Sequence, residues 1–482
     1  MDAFTLILLG SAIPLGGFVF SRFARWEREG RRHLVLGVFL AVVVVEALLA
    51  GSTDSVPTSI FRPSVAGQDI RLPDPLLALA LLARAWVSPV PRVLRWVWAV
   101  MGVFVVWLLY CTFIGLDNGS AFADTLFDLK SYLYIVGTMV LVAGVPIQDI
   151  LRRRRFERWI LTISLVSTVF MVMDLVGAAT VVPIPGAPIV LGRVGSETHT
   201  VLVALGILAF GIEACSRRPR VIVVVAAFLL LATPFGGAQR ASFVQLGLTV
   251  LVMAPFMLTA TWVRRVRFSP TDALVFLFAF VIAGGLILGL SGELATVSDR
   301  VQDTFGGQVE SATASVRVSI IETSTKRIAE RPLFGWGMGD RVSQRFSGIL
   351  GLGQTEQVTS HNVAVDLALR TGLVGAVLGF IAILGPVVSG WRVWLSGVDD
   401  RVAAASLAAI AAVAGILGKG MVETIFEKFR IGIALGFLLG LLLAAARSLR
   451  EPAAAGERVP AGVAGAGWDG PLGPIGPANG PR

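Results

Sequence analysis

WVWAVMGVFVVWLLYCTFIGL, residues 96–116, runs 21 residues without a charged side chain. A bilayer core takes roughly 20 helical residues, and backbone groups inside it find no water, so a run of this kind reads as a transmembrane helix. The rest of the chain repeats the pattern. Of its 482 residues 55% are hydrophobic and only 15% charged, and the mean hydropathy is +0.78. Besides 96–116, the apolar runs predict spans at 3–20, 34–50, 75–90, 129–146, 158–178, 199–214, 221–237, 241–261, 272–291, 372–390, 402–418 and 429–446. The run at 75–90 is the weakest, being short and carrying Arg84. No ten-residue alternation suggests a barrel. The expected fold is therefore an all-α integral membrane protein with about 12–13 transmembrane helices.

The formal net charge of +9 invites a nucleic-acid reading, but its distribution argues against one. Arg22, Arg25, Arg28, Arg31 and Arg32 follow the first run; Arg152 to Arg155 and Arg158 the fifth; Arg217, Arg218 and Arg220 the seventh; Arg264, Arg265 and Arg267 the ninth. All follow odd-numbered spans. The positive-inside rule then puts the N-terminus outside and these loops and the C-terminus in the cytoplasm. The charge is a topology signal that also suits anionic lipid headgroups. Met1 to Phe20 lacks a basic leading region, carries Asp2 and has its cluster behind it, which fits a retained helix better than a cleaved signal. Cys111 and Cys215 fall at span ends on opposite faces, so no disulfide is implied. Residues 1–450 form one polytopic membrane domain. Residues 451–482, rich in Pro, Gly and Ala, read as a disordered cytoplasmic tail.

One connection is long. The outer loop, 292–371, contains an amphipathic helix over roughly Ser311 to Ala329, with Val316, Ile320 and Ile321 on one side and Lys326 and Arg327 near its C-terminus. Pro332 ends it. ERPLFGWGMGD (330–340) and SHNVAVDLALRTGLVG (360–375) come next, the second running into a span. GWGMG follows no strand and lacks the Lys-Ser/Thr of a phosphate loop, so it predicts a tight turn needing small residues.

Candidate site residues come from exceptions to the charge rule. Outer loops should be poor in Arg, yet 179–198 carries Arg193, the connection 238–240 carries Arg240, and the loop helix opens with Arg317. Such an Arg either snorkels to lipid phosphate or binds an anionic substrate bidentately. Arg240, pinned between two spans, has little room to snorkel. His361 is one of three histidines, and a neutral imidazole there is suited to take a proton from a sugar hydroxyl. Ser360 would cap the helix beginning there. His199 lies at another outer span end, in SETHT, while His33 sits in a basic cytoplasmic cluster. Glu330 and Asp366 flank the loop motif. The dispersed histidines have no metal-ligand spacing, so neither metal nor cofactor is expected.

With these residues in view, the chain resembles the O-antigen ligase and polymerase superfamily of bacterial membrane glycosyltransferases. The similar parts are Glu330 to Gly337 (ERPLFGWG), Ser360 to Asn362 (SHN) opening a helix, and Arg370 to Gly375 (RTGLVG). SVR at 315–317 is similar to the family's loop-helix arginine, and AQRA at 238–241 to its short-loop arginine, with Gln239 where Ser is usual. RVG at 193–195 is a third similar feature. The order covers about 190–390; the N-terminal third matches only in hydropathy, and relatives have twelve spans.

The resemblance implies a GT-C-like, inverting, metal-independent transferase in the bacterial cytoplasmic (inner) membrane, its site facing the periplasm or exterior. It would move a glycan from a polyprenyl diphosphate carrier to a glycan, lipid or protein acceptor, as polymerase or ligase. His361, Arg240 and Arg317 would be catalytic, and Arg193, Glu330, Asn362 and His199 would bind substrate. A transporter or flippase is the rival. Against it, the polar residues gather at the outer face and no matched pair of broken helices appears; for it stand Glu46 and Asp174, within or near the ends of spans.

Overall fold

The computed structural model describes residues 3–49, 64–65, 68–69, 71–87, 95–175, 180–182, 189–191, 196–214, 220–237, 240–262, 308–340, 342–345, 355–358, 360, 362–396, 399–423, 425 and 428–449. These are almost entirely helical: α1 (Ala3–Arg28), α2 (Arg32–Leu49), α3 (Pro73–Val87), α4 (Arg95–Asp117), α5 (Phe122–Ala143), the single turn α6 (Ile147–Ile150), α7 (Arg153–Leu175), α8 (Ser196–Ala214), α9 (Val221–Gly237), α10 (Arg240–Trp262), α11 (Gln308–Glu330), α12 (Val363–Leu395), α13 (Asp400–Gly420) and α14 (Phe429–Ser448). Three short antiparallel hairpins lie in connections: Ser64–Val65 with Gln68–Asp69, Thr180–Val182 with Ile189–Leu191, and Val342–Arg345 with Thr355–Val358. Every expected span but one falls on a helix; 272–291 lies outside the described residues.

Six helices among the described residues, α4, α5, α8, α12, α13 and α14, are long and apolar enough to cross a membrane. The protein is an all-α integral membrane protein. Its middle is α14, whose apolar stretch is 94% buried, against 28% for α4 at the rim. The reason is local. Gly432, Gly436 and Gly440 recur every fourth residue and turn a bare stripe to α5; a Cβ on Gly436 would lie 2.4 Å from the Ile135 carbonyl. Small residues at this period let two helices approach closely where lipid supplies no hydrophobic drive. The alanine-rich α13 does the same for α8, α10 and α12. On α4, Val103, Val106 and Phe113 face outward, as suits a lipid-facing rim.

Charged side chains collect at the two ends of this bundle. At one end Arg32 donates to the Gly144 carbonyl (3.1 Å), Arg153 pairs with Glu157 (2.9 Å), Arg220 pairs with Glu157, and the Arg220 amide donates to Glu213 (3.1 Å). Arg84, the blemish in the third run, is buried here beside Glu27 (4.0 Å) and donates to the Leu141 carbonyl (2.8 Å). These groups come from the loops that the charge alternation assigns to one face. At the opposite end Asp74 meets Lys130 and Tyr134, and Arg430 donates to Glu46 (3.2 Å). Glu46 is thus half of a buried pair between α2 and α14.

The loop helix spans Gln308–Glu330, a few residues wider than its apolar spacing suggests. Ile320 and Ser324 are buried and Ile328 packs on the core, a stripe at helical period. α12 begins at Val363, directly after the SHN triplet expected to open a helix, whereas the apolar run begins only at 372, because Asp366 and Arg370 lower the hydropathy while both are buried.

Candidate functional site

The site end is organised by a break in α12. Gly372 sits at φ 67°, ψ 178°, so residues 363–371 and 373–395 are two helical pieces meeting at a non-helical residue. A break strands carbonyls that have lost their partners four residues on, and in a membrane-facing position each must be met by protein. The ERPLFGWGMGD segment meets them. The Trp336 amide donates to Leu369 O (2.8 Å) and the Gly337 amide to Arg370 O (3.0 Å), while the Leu373 amide donates back to Pro332 O (2.8 Å). The Trp107 indole donates to Thr371 O (2.9 Å).

The glycines are what let the segment lie this close. Gly337 has φ 94°, and a Cβ on it would lie 2.1 Å from the Gly115 amide nitrogen of α4; a Cβ on Gly372 would lie 2.1 Å from Leu333 O. The run is a turn, as its small residues suggest, and its central amides are committed to α12 and α4: beside Trp336 and Gly337, the Met338 amide donates to Cys111 O (3.0 Å).

Beneath the turn lies a buried charge cluster. The Arg370 guanidinium is 3.3 Å from Asp128 Oδ1 of α5 and 3.2 Å from Asp366 Oδ2, with all three side chains at most 2% exposed. Asp128 also accepts from the Gly339 amide (2.9 Å), and Asp366 Oδ1 accepts from the Ser360 hydroxyl (3.1 Å) and amide (3.3 Å). The cluster therefore ties the glycine turn at one side to the residue before His361 at the other. Here the structure corrects the sequence reading of the cap. Asn362, not Ser360, caps α12: its Oδ1 accepts from the Ala364 (3.0 Å) and Val365 (3.2 Å) amides, and the Ser360 hydroxyl is drawn off by the Asp366 carboxylate.

Next to this, four helix ends converge. Asn362 Nδ2 donates to Met421 O just past α13 (3.3 Å). The Lys419 ammonium, fully buried in the last turn of α13, donates to Thr200 Oγ1 in the first turn of α8 (2.7 Å) and to Ser242 Oγ in the first turn of α10 (2.9 Å), and lies 3.2 Å from Glu423. Gln245 of α10 donates to Thr200 O (2.9 Å). Burial would raise the Glu423 carboxyl, but the charges of Lys419 and Lys428 and their hydrogen bonds outweigh it and hold the group below the usual carboxylate range.

The predicted site residues divide accordingly. His199, buried and adjacent to Thr200, and Asn362 belong to this convergence, and Arg240 is the first residue of α10, two before Ser242. Arg317 is exposed on α11, seven residues before buried Ser324 and so on the same face of the helix, one that turns to the bundle further along. Glu330 is exposed at the end of α11, with Arg327 beside it pairing with Asp340 (2.9 Å). His361 and Arg193 lie outside the described residues, as does the side chain of Arg240. The charge rule missed Lys419, Asp128 and Arg430. Lys419 had a signal: it is one of four lysines among 41 basic residues, at a span end on the arginine-poor side. Asp128 had none, since its partner Arg370 lies far along the chain in another span.

Residues 225–381 match the O-antigen ligase family. The matched stretch runs from α9 through α10, α11 and the glycine turn, past the break in α12 into its second piece. Over that third of its length the chain is similar to the O-antigen ligase family. No curated protein matches it. The match falls where the geometry does: the glycine turn, the capped start of α12 and the first turn of α10 all lie inside it, and α13, with Lys419, lies beyond it.

Proposed function

We propose that this O-antigen ligase relative is an inverting, metal-independent glycosyltransferase. It moves a glycan from a polyprenyl diphosphate carrier to an acceptor hydroxyl on the outer face of the bacterial cytoplasmic membrane. The observation that supports this most is the convergence of α8, α10, α12 and α13 ends, with Arg240 and His199 on two of them, at the end opposite the arginine clusters and within or beside the family match.

In the reaction the acceptor oxygen forms a bond to the anomeric carbon as the bond from that carbon to the diphosphate oxygen breaks. The leaving diphosphate keeps the electron pair and the acceptor loses its proton. Arg240 and Arg317 stabilise the charge growing on the diphosphate, as preorganised donors do in a partly dehydrated site. His361 takes the proton, held next to Ser360 and Asn362, whose positions are set by Asp366 and the α12 cap. Arg193, His199, Glu330 and Asn362 bind the sugars and diphosphate around this core. Polymerase and ligase share the chemistry and differ in the acceptor. The transporter reading loses Glu46, whose carboxylate is taken up by Arg430.

The test is transfer by purified protein in nanodiscs from an undecaprenyl diphosphate-linked oligosaccharide, with glycan length and released lipid diphosphate both measured. Arg240→Ala and Arg317→Ala are each expected to lower turnover by about 10²-fold or more, and His361→Ala by about 10²-fold. Full activity in both Arg variants removes the site assignment.

A further inference from the structure

The Lys419 ammonium is the least expected group in the membrane domain. It is fully buried at the end of an alanine-rich span, where an isolated charge is strongly disfavoured. Among 41 Lys and Arg residues only four are lysines, and a lysine differs from arginine in presenting three rotatable donors from one point. Around that point stand acceptors from three segments: Thr200 Oγ1 of α8, Ser242 Oγ of α10 and Glu423 beyond α13. Thr200 follows His199, Ser242 is two residues past Arg240, and Met421, between Lys419 and Glu423, takes the amide of the α12 cap residue Asn362.

We propose that Lys419 is a positioning residue for the transfer reaction. Its ammonium draws the first turns of α8 and α10 onto the end of α13, and so sets Arg240 and His199 relative to the α12 start that leads from His361. It does this through the two hydroxyls; its pairing with Glu423 neutralises charge but does not aim the helices. The inference rests on the transferase reading above.

The two roles respond differently to substitution. A buried ion pair removed as a whole is close to neutral for stability, whereas loss of one partner is not. Lys419→Met is expected to unfold at lower temperature, and Lys419→Met with Glu423→Gln, which leaves only the partly exposed Lys428 without that carboxylate, to recover most of the thermal stability. If Lys419 positions the helices, the double variant still transfers glycan at least about tenfold more slowly, with kcat reduced and the donor KM little changed, the pattern of an interaction that matters in the transition state. Thr200→Val with Ser242→Ala leaves the Lys419–Glu423 pair in place and is expected to show the same loss of kcat, so the inference stays testable should a Lys419 variant fail to fold.

All variants are assayed in nanodiscs with the undecaprenyl diphosphate-linked oligosaccharide, beside Arg240→Ala. Wild-type kcat in the stable double variant, or in Thr200→Val/Ser242→Ala, overturns the role of Lys419 while an inactive Arg240→Ala leaves the transferase site standing. Wild-type transfer by Arg240→Ala removes the site itself.

Discussion

Arg370→Met offers the sharpest check on how the break in α12 is held. Arg370 carries one positive charge between two carboxylates, Asp128 at 3.3 Å and Asp366 at 3.2 Å, and the three side chains are 0%, 0% and 2% exposed. Among the described residues the arginine thus stands against two carboxylates. Replacing the arginine leaves two buried carboxylates facing one another, and removing one member of a buried pair costs about 3–5 kcal/mol. Asp128→Asn works the other way. It leaves Arg370 and Asp366 as a neutral pair, and the new amide oxygen can still accept from Gly339, so the loss is about 1.5 kcal/mol. With about 2.1 cal/mol/K of unfolding entropy per residue over 482 residues, each kcal/mol moves the midpoint by about 1 °C. Intrinsic-fluorescence melting in nanodiscs should therefore show Arg370→Met lower by about 3–5 °C and Asp128→Asn by about 1.5 °C, with the double variant between them. Arg370→Met melting within about 1 °C of wild type, or Asp128→Asn proving the worse of the two, would refute the charge argument.

Gly337→Ala combines a φ of 94° with a Cβ 2.1 Å from the Gly115 nitrogen, whereas Gly30→Ala shares a positive φ of 71° but meets nothing within 4 Å. Gly30→Ala should lose only the backbone term of about 1–2 kcal/mol, while Gly337→Ala should lose more and yield less monodisperse protein on size-exclusion; equal behaviour would show that the glycine turn is not pressed on α4. Glu423 supplies a pH dependence. Its folded pKa is depressed, so its stabilisation is present above the unfolded value of about 4.3 and fades as pH falls through the lower folded value. Glu423→Gln should flatten the drop in melting temperature on acidification from about pH 7 to pH 3, and an unchanged acid limb would contradict the pairing with Lys419 and Lys428.

What could be read from the sequence depended on the range of the physics involved. Hydropathy and arginine alternation are local or summed along the chain, so the spans and the grouping of loops into two ends were legible from 96–116 and its repeats. Contacts such as Arg32 with Gly144 and Arg220 with Glu157 follow the same alternation. SHN marked the start of α12, but its apolar run begins only at 372 because hydropathy treats Asp366 and Arg370 as exposed, and their burial depends on Asp128, which nothing nearby announces. Ser360 and Asn362 are both good caps by residue type; only the competing Asp366 carboxylate decides between them.

Bilayer thickness and charge asymmetry leave few alternatives to a pattern of this kind. The chain of letters was therefore enough to make this a helical membrane protein, and to gather the described arginines of its clusters, such as Arg32, Arg153 and Arg220, at one end. Packing was needed to show that the glycine run mends a broken helix, that Glu46 is neutralised by Arg430, and that Lys419 binds the starts of α8 and α10. Each of these joins residues far apart in the chain, and the free energy of burying a charge or a bare carbonyl is set by the partner that the fold brings to it.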